Sequence, residues 1–122
     1  MPKILIIEDE KILGEMYKEK FETEGFQVFL VFSSEEAMET LRKVKPDLIL
    51  LDILLPRENG IQFLKRIKEI PDISQILIVA FSNYDVPATK KEALELGVRD
   101  YLIKTDYTPA QLIEKIREYL SQ

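Results

Sequence analysis

The sequence predicts an α/β protein in which five parallel strands alternate with helices in one doubly wound domain, residues 1–122. Short apolar runs alternate with amphipathic segments along the whole chain, without a linker or a repeat. Four of the apolar runs end on polar side chains suited to phosphate chemistry: Glu8 with Asp9, Asp52, Ser82 and Lys104. Because the carboxyl ends of parallel strands share one edge of a sheet, these side chains are expected to meet there.

The first part of the chain contains three predicted strands, at residues 3–7, 27–32 and 47–51. A helix that ends before Gly25 is predicted between the first two strands, because apolar residues recur there at helical spacing. These residues are Ile12, Leu13, Met16, Tyr17 and Phe21. The near-continuous apolar strands indicate a sheet that is buried on both faces.

Capping residues and prolines delimit the next two helices. Ser33 and Glu36 fit a capping box that opens the second helix. The inner face of this helix, which lies before Pro46, is predicted to contain Ala37, Leu41 and Val44. The third helix is predicted to end at Pro71, and its amphipathic pattern comprises Ile61, Leu64, Ile67 and Lys68.

The last part of the chain continues the alternation, with strands predicted at residues 76–81 and 100–103. The fourth helix, residues 86–96, ends before Gly97 and has a weak apolar stripe formed by Ala93, Leu94 and Leu96. The fifth helix begins with a cap, a first-turn proline and a capping-box partner, namely Thr108, Pro109 and Gln111. Its core stripe comprises Leu112, Ile113, Ile116, Tyr119 and Leu120.

Composition excludes several kinds of site. The chain has no cysteine and no histidine, so it can form no disulfide, no Cys or His metal site and no phosphohistidine. The net charge of −5 argues against direct nucleic-acid binding by this domain, because phosphate backbones attract Lys and Arg patches. No apolar run is long enough for a signal-peptide core or a membrane span, so we expect a cytoplasmic protein that makes no membrane contact.

The acidic residues at the predicted edge need a counter-charge, since two carboxylates about 4 Å apart repel by about 4 kcal/mol at an effective dielectric constant of about 20. Glu8, Asp9 and Asp52 form an all-oxygen set, which suits Mg²⁺. An Asp carboxylate can also be the nucleophile towards a phosphoryl group. The ammonium of Lys104 could neutralise charge, and the hydroxyl of Ser82 could donate to a phosphoryl oxygen.

Several of these residues also have a simpler structural interpretation. Asp9 could cap the first helix, Ser82 with Asn83 could open a loop, and Lys104 could be an exposed lysine. Asp52 is harder to explain in this way, because a carboxylate directly after a buried strand needs partners. The common position of the polar residues at the ends of the strands favours a functional site.

The whole chain resembles a response-regulator receiver domain of two-component signalling. The residues that carry the resemblance are Glu8 and Asp9, Asp52 followed by Pro56 and Gly60, Ser82, Tyr101 and Lys104. The intervals from Asp52 to Ser82 and to Lys104 also agree with the family's. The resemblance implies a (βα)5 flavodoxin-like fold with strand order 2-1-3-4-5, an order that the residues alone leave open.

The resemblance also implies a role for each residue of the site. Asp52 would be the phosphoacceptor. Mg²⁺ would be bound by Asp9, Asp52 and the backbone carbonyl of Leu54, with Glu8 acting through a water molecule. Lys104 would pair with the phosphoryl oxygens.

Ser82 and Tyr101 would form a switch that changes a surface made by the fourth helix, the fifth strand and the fifth helix. The phosphoryl donor would be a sensor histidine kinase, a phosphotransfer protein or a small phosphodonor. The target would be a downstream protein or a fused effector domain. Such a protein is a signalling phosphoacceptor rather than an enzyme, although it assists its own phosphoryl transfer and dephosphorylation.

The chain departs from the family pattern in three places. Glu8 replaces the commoner Asp, and Mg²⁺ binding is expected to survive this change. Thr105 replaces a proline that follows a cis peptide bond. Because a non-proline cis bond costs about 2.5–4 kcal/mol, we predict a trans bond after Lys104 and a rearranged loop. Leu54 and Tyr84 stand where polar residues assist the attacking water in fast-cycling receivers, which predicts slow self-dephosphorylation.

Other classes of protein fit less well. A haloacid-dehalogenase-like phosphatase needs a second Asp two residues after the first, where this chain has Leu54. No glycine-rich turn follows a strand, which disfavours dinucleotide and P-loop enzymes, and a hydroxyl-rich loop for FMN is missing after the first strand. A pseudo-receiver that binds partners without phosphorylation stays open, although Asp52, Lys104 and the acids are all present. The cognate kinase, the output and the oligomeric state also stay open.

Overall fold

A computed structural model describes residues 1–122 and has one five-stranded sheet, all parallel, at its centre. The strands are β1 Lys3–Ile7, β2 Gln27–Val31, β3 Leu48–Leu51, β4 Leu77–Ser82 and β5 Asp100–Ile103. Their order in the sheet is β2-β1-β3-β4-β5. The predicted class, number of strands and strand order are therefore confirmed.

Six helices cover the sheet. They are α1 Lys11–Thr23, α2 Ser34–Leu41, α3 Gly60–Lys68, α4 Pro71–Ser74, α5 Pro87–Glu95 and α6 Pro109–Leu120. Helices α1 and α6 pack into one apolar cluster of 15 buried residues, and α2 to α5 pack into another of 20. None of the helices combines the length and the apolar character needed to cross a membrane.

The short helix α4 was not predicted. Pro71 was expected to end the third helix, but α3 already ends at Lys68 and Pro71 opens a separate single turn. Proline is well tolerated in the first turn, because its fixed φ fits the helix and the missing N–H would have no partner there. The fourth and fifth predicted helices are therefore α5 and α6.

Three residues do not lie on the inner faces or apolar stripes predicted for them. Leu94, placed in the stripe of the fourth predicted helix, is 49% exposed on α5, where only Ala93 is buried. Ile12 is 88% exposed, because a helix turns by about 100° per residue and the buried stripe of α1 runs through Gly14, Tyr17 and Phe21 on the opposite side. Val44 follows α2, which ends at Leu41, and is only half-buried.

The predicted capping box of α6 is confirmed, and that of α2 is confirmed in part. Thr108 and Gln111 form the predicted capping box of α6, with Pro109 in its first turn. The hydroxyl of Ser33 accepts the backbone N–H of Glu36 at 3.2 Å, as expected for a cap. The second half of that box is missing, however, since the Glu36 carboxylate accepts the Ser33 hydroxyl rather than a backbone N–H.

Candidate functional site

Three charged side chains are buried together at the carboxyl edge of the sheet. Glu8 is 2% exposed, Asp52 7% and Lys104 8%. The register of the sheet explains their meeting, because the last residues of β1 and β3 are paired and the next residues are Glu8 and Asp52. Lys104 Nζ donates to Glu8 Oε1 at 2.5 Å and to Asp52 Oδ2 at 2.9 Å. The predicted convergence of these residues is therefore found in the structure.

The charges of this cluster depend on one another. Burial raises the pKa of Glu8, although the hydrogen bond and the positive charge of Lys104 partly oppose this effect. Burial lowers the pKa of Lys104, but the bonds and charges of Glu8 and Asp52 outweigh it, so the net pKa is raised. Lys104 is therefore an ammonium at neutral pH and offsets part of the negative charge of the two carboxylates.

Asp9 completes the acidic part of the site. One carboxylate oxygen from each of Glu8, Asp9 and Asp52 lies within 4.8 Å of the others. Asp9 is exposed, and the N-cap of α1 is Glu10 rather than Asp9, so the capping alternative is not what the structure has. Oxygen donors alone, grouped at this separation, fit a hard divalent cation such as Mg²⁺.

The segment after Asp52 is held close to the site. The backbone N–H of Leu54 donates to Asp52 Oδ1 at 3.3 Å, while the Leu54 side chain is 52% exposed. A Cβ atom on Gly60 would lie 2.8 Å from the backbone oxygen of Asp52, so only glycine allows α3 to start this close. Arg57, which lies between Leu54 and Gly60 in the sequence, has φ of 64°. This left-handed conformation is uncommon for a residue with a side chain.

Ser82 and Tyr101 lie on the neighbouring strands β4 and β5. Ser82 is 1% exposed and ends β4, and its Oγ accepts the backbone N–H of Tyr84 at 3.2 Å. Tyr101 is buried, and its hydroxyl donates to the backbone oxygen of Tyr84 at 2.6 Å. Burial raises the pKa of Tyr101 to about 12, so the hydroxyl stays protonated as a donor. The loop after β4 is thus bonded to both predicted switch residues.

The loop after β5 agrees with the prediction for the Lys104–Thr105 bond. The chain contains no cis peptide bond, and residues Lys104–Asp106 form a single 3-10 turn. The backbone N–H of Thr105 donates to Asn83 Oδ1 at 3.2 Å. Sequence reasoning missed this role of Asn83, although an Asn directly after a strand is a common loop-stabilising residue.

Comparison with known proteins identifies the family. The family model described as "Response regulator receiver domain" matches residues 4–117. A two-component response regulator from Clostridium difficile superposes with a TM-score of 0.91 at 30% identity, over 100% of this chain and 98% of that one. The receiver domain of a Francisella response regulator gives 0.89 at 27% identity, over 99% and 98%.

Two curated relatives are longer than this chain. The phosphate regulon transcriptional regulatory protein PhoB of Rhizobium meliloti is 30% identical over 120 residues, covering 98% of this chain and 52% of its own length. The transcriptional regulatory protein CpxR of Escherichia coli is 34% identical over 120 residues, covering 98% and 50%. The chain therefore spans about half the length of the curated relatives that it matches. By its sequence, its fold and the arrangement of its site, the chain belongs to the response regulator receiver domain family.

Proposed function

We propose that Asp52 accepts a phosphoryl group and that the chain thereby acts as a phosphorylation-controlled switch. The observation that carries this proposal is the contact between Lys104 Nζ and Asp52 Oδ2 inside a cluster of further carboxylates. An Asp oxygen of this kind can attack phosphorus. A P–O bond forms on Asp52 while the bond from phosphorus to the donor breaks, and the departing donor group keeps that bond's electron pair.

The acids of the site would hold the divalent cation that this transfer requires. Asp9 and Asp52 would bind Mg²⁺ directly together with the backbone carbonyl of Leu54, and Glu8 would act through a water molecule. When bound, the cation neutralises charge on the transferring phosphoryl group. The oxygen-only donor set and the spacing of the three carboxylates support the binding of Mg²⁺ at this site.

Lys104 and Ser82 would stabilise the phosphorylated state. The ammonium of Lys104 already faces the Asp52 carboxylate, so it would pair with phosphoryl oxygens after transfer. The hydroxyl of Ser82 would reorient to donate to another of these oxygens. Because the Tyr84 N–H is bonded to this hydroxyl, the change would reach Tyr101 and the surface of α5, β5 and α6.

The partners in this proposal are those that membership of the receiver domain family implies. The chain has no histidine, so it carries no phosphohistidine of its own. As in the family, the phosphoryl group would come from a sensor histidine kinase, a phosphotransfer protein or a small phosphodonor in the cytoplasm. The output would be a downstream protein or a fused effector domain. Direct nucleic-acid binding by this domain and membrane contact are not part of the proposal.

The direct test is intact-mass measurement after incubation with acetyl phosphate and Mg²⁺. The native chain is expected to gain one phosphoryl group, and Asp52→Asn is expected to gain none. The exposed Asp72, which lies on α4, provides a matched control, and Asp72→Asn should be modified like the native chain. An adduct on Asp52→Asn would place the acceptor elsewhere, and no adduct on any chain would favour the pseudo-receiver.

The phosphorylated form is proposed to hydrolyse slowly. The backbone N–H groups of Leu54 and Tyr84 donate to Asp52 and Ser82, which keeps both residues in the segments that follow the strand ends of the site. They are 52% and 37% exposed, and we expect the apolar side chain of Leu54 and the bulky side chain of Tyr84 to hinder the attacking water. Replacing both, Leu54→Asn with Tyr84→Ser, is expected to shorten the phosphoryl half-life by roughly tenfold, which is about 1.4 kcal/mol of barrier.

The control for this measurement is Leu94→Asn, because Leu94 is 49% exposed and lies at the C-terminal end of α5, outside the segments that directly follow β3 and β4. Its half-life should equal that of the native chain. A native half-life of seconds would contradict the proposal of slow hydrolysis and would leave the proposal of phosphorylation intact.

A further inference from the structure

A set of hydrogen bonds runs from Ser82, at the end of β4, to the last turn of α6. Ser82 Oγ accepts the Tyr84 N–H at 3.2 Å, and the Tyr84 carbonyl accepts the Tyr101 hydroxyl at 2.6 Å. The Tyr101 N–H donates to Asp100 Oδ1 at 2.8 Å. The other carboxylate oxygen of Asp100 accepts the hydroxyl of Tyr119, in the last turn of α6. Four bonds therefore connect β4, β5 and α6.

Asp100 is the residue that joins the two halves of this set. It begins β5 and directly precedes Tyr101, and its two carboxylate oxygens accept donors from different elements. Hydrogen bonds to an ionised acceptor are about twice as strong as those between neutral groups. A movement of the Tyr101 backbone would therefore act on Asp100, and through it on Tyr119.

The hydroxyl of Tyr119 is a hydrogen-bond donor whose position is set by the packing of the ring and by the bond to Asp100. Its side chain is 8% exposed and belongs to the apolar cluster on the α1 and α6 side of the sheet. Burial raises the pKa of Tyr119, and the bond to Asp100 raises it further, so the hydroxyl stays protonated at neutral pH. The guanidinium of Arg99 lies 5.5 Å from the centre of the Tyr119 ring and restricts the ring from another side.

We propose that Asp100 and Tyr119 are positioning residues that couple Tyr101 to the C-terminal turn of α6. This inference rests on the proposed function and adds a particular route to it. Phosphorylation of Asp52 changes the bonding of Ser82, the loop at Tyr84 follows, and Tyr101 then acts on α6 through Asp100. The route consists of packed, hydrogen-bonded groups, which are one physical means of coupling distant sites.

The test measures amide hydrogen exchange in residues 112–122 before and after phosphorylation with acetyl phosphate and Mg²⁺. In the native chain the exchange rates of this segment are expected to change by about fivefold or more, the low end of typical coupling between sites. Tyr119→Phe removes only the hydroxyl, so the ring keeps its packing. In this variant the change in residues 112–122 should be lost, while the change in residues 82–86 should remain.

Tyr107→Phe is the matched control, because it also removes a tyrosine hydroxyl near α6 but one outside the four bonds. It should respond like the native chain. Asp100→Asn is the second variant, since an amide has one acceptor oxygen in place of two and should weaken the response in residues 112–122.

The outcomes separate the two proposals. No adduct on the native chain would overturn the proposed function. An adduct without a response in residues 112–122, or an undiminished response in Tyr119→Phe, would overturn the coupling route and leave phosphorylation of Asp52 standing.

Discussion

Helices α3 and α5 pack into the same apolar cluster but are held in very different ways. Helix α3 begins with a capping box made by Asn59 and Gln62, whereas the N-cap of α5, Val86, has no side-chain hydrogen bond. Only Ala93 of α5 is buried. The buried residues of α3 are Gly60, Ile61, Phe63, Leu64 and Ile67.

The polar contacts of α5 do not compensate for this difference. It is joined to α3 by an ion pair of Lys65 with Glu92 at 3.2 Å, in which both side chains are about half exposed. Exposed pairs of this kind contribute about 0–1 kcal/mol. Segments with few buried apolar contacts open at low free energy, and the moving parts of proteins are drawn from them. The comparison therefore teaches that α3 is anchored beside the site by its cap and its buried residues, whereas α5 has few contacts that would resist a movement.

The largest expected effect is that of Phe63→Ala in α3. Phe63 is fully buried, and such a truncation costs about 3–5 kcal/mol because it removes apolar contacts and leaves a cavity. Leu94→Ala in α5 serves as the counterpart and should change the free energy of unfolding by less than about 0.5 kcal/mol. Urea unfolding measures both variants. Equal decreases in the free energy of unfolding for the two variants would contradict the proposed difference between α3 and α5.

Gly60→Ala is expected to destabilise the chain by about 2–3 kcal/mol, near the upper end of ordinary point substitutions. The new Cβ would lie 2.8 Å from the Asp52 backbone oxygen and from the Ile53 Cα, and a backbone can give way less easily than a side chain. Gly14→Ala in α1 is the control, because its nearest atom, 2.9 Å away, is the flexible end of Leu30. There the gain in helix propensity of about 1 kcal/mol should offset the crowding. A smaller decrease in the free energy of unfolding for Gly60→Ala than for Gly14→Ala would contradict the explanation by backbone crowding.

Much of the site could be predicted from the sequence because its residues follow directly after strands. Parallel strands end at a common edge of the sheet, so the position of Glu8 after β1 and of Asp52 after β3 predicted that both side chains lie at this edge. The order of the strands needed the family resemblance, since the apolar pattern of a doubly buried strand does not identify its neighbours.

The parts that could not be predicted depend on contacts between elements. The exposed position of Ile12 follows from the face that α1 presents to the sheet, which its residue spacing left ambiguous. The pairing of Lys104 with Glu8 depends on side-chain lengths in a crowded site. The capping box of Asn59 was readable in principle, because an Asn followed three residues later by Gln is a known start signal.

Asn59→Ala should remove one of the anchors that distinguish α3 from α5. The side chain of Asn59 accepts the Gln62 N–H at 2.9 Å, and losing such a cap costs about 1 kcal/mol. Asn59→Asp preserves the acceptor and is expected to be nearly neutral. Urea midpoints of the two variants provide the measurement, and an alanine variant as stable as the native chain would mean that packing alone anchors α3.

The smallest expected effect concerns the exposed ion pair between the two helices. Glu92→Gln should lower the free energy of unfolding by less than about 0.5 kcal/mol, because both side chains of the pair are solvated. A double-mutant cycle with Lys65→Met isolates the interaction from other effects of each substitution. A coupling energy well above about 1 kcal/mol would mean that α5 is tied firmly to α3, and an element tied in that way could not respond independently of the helix that fixes the site.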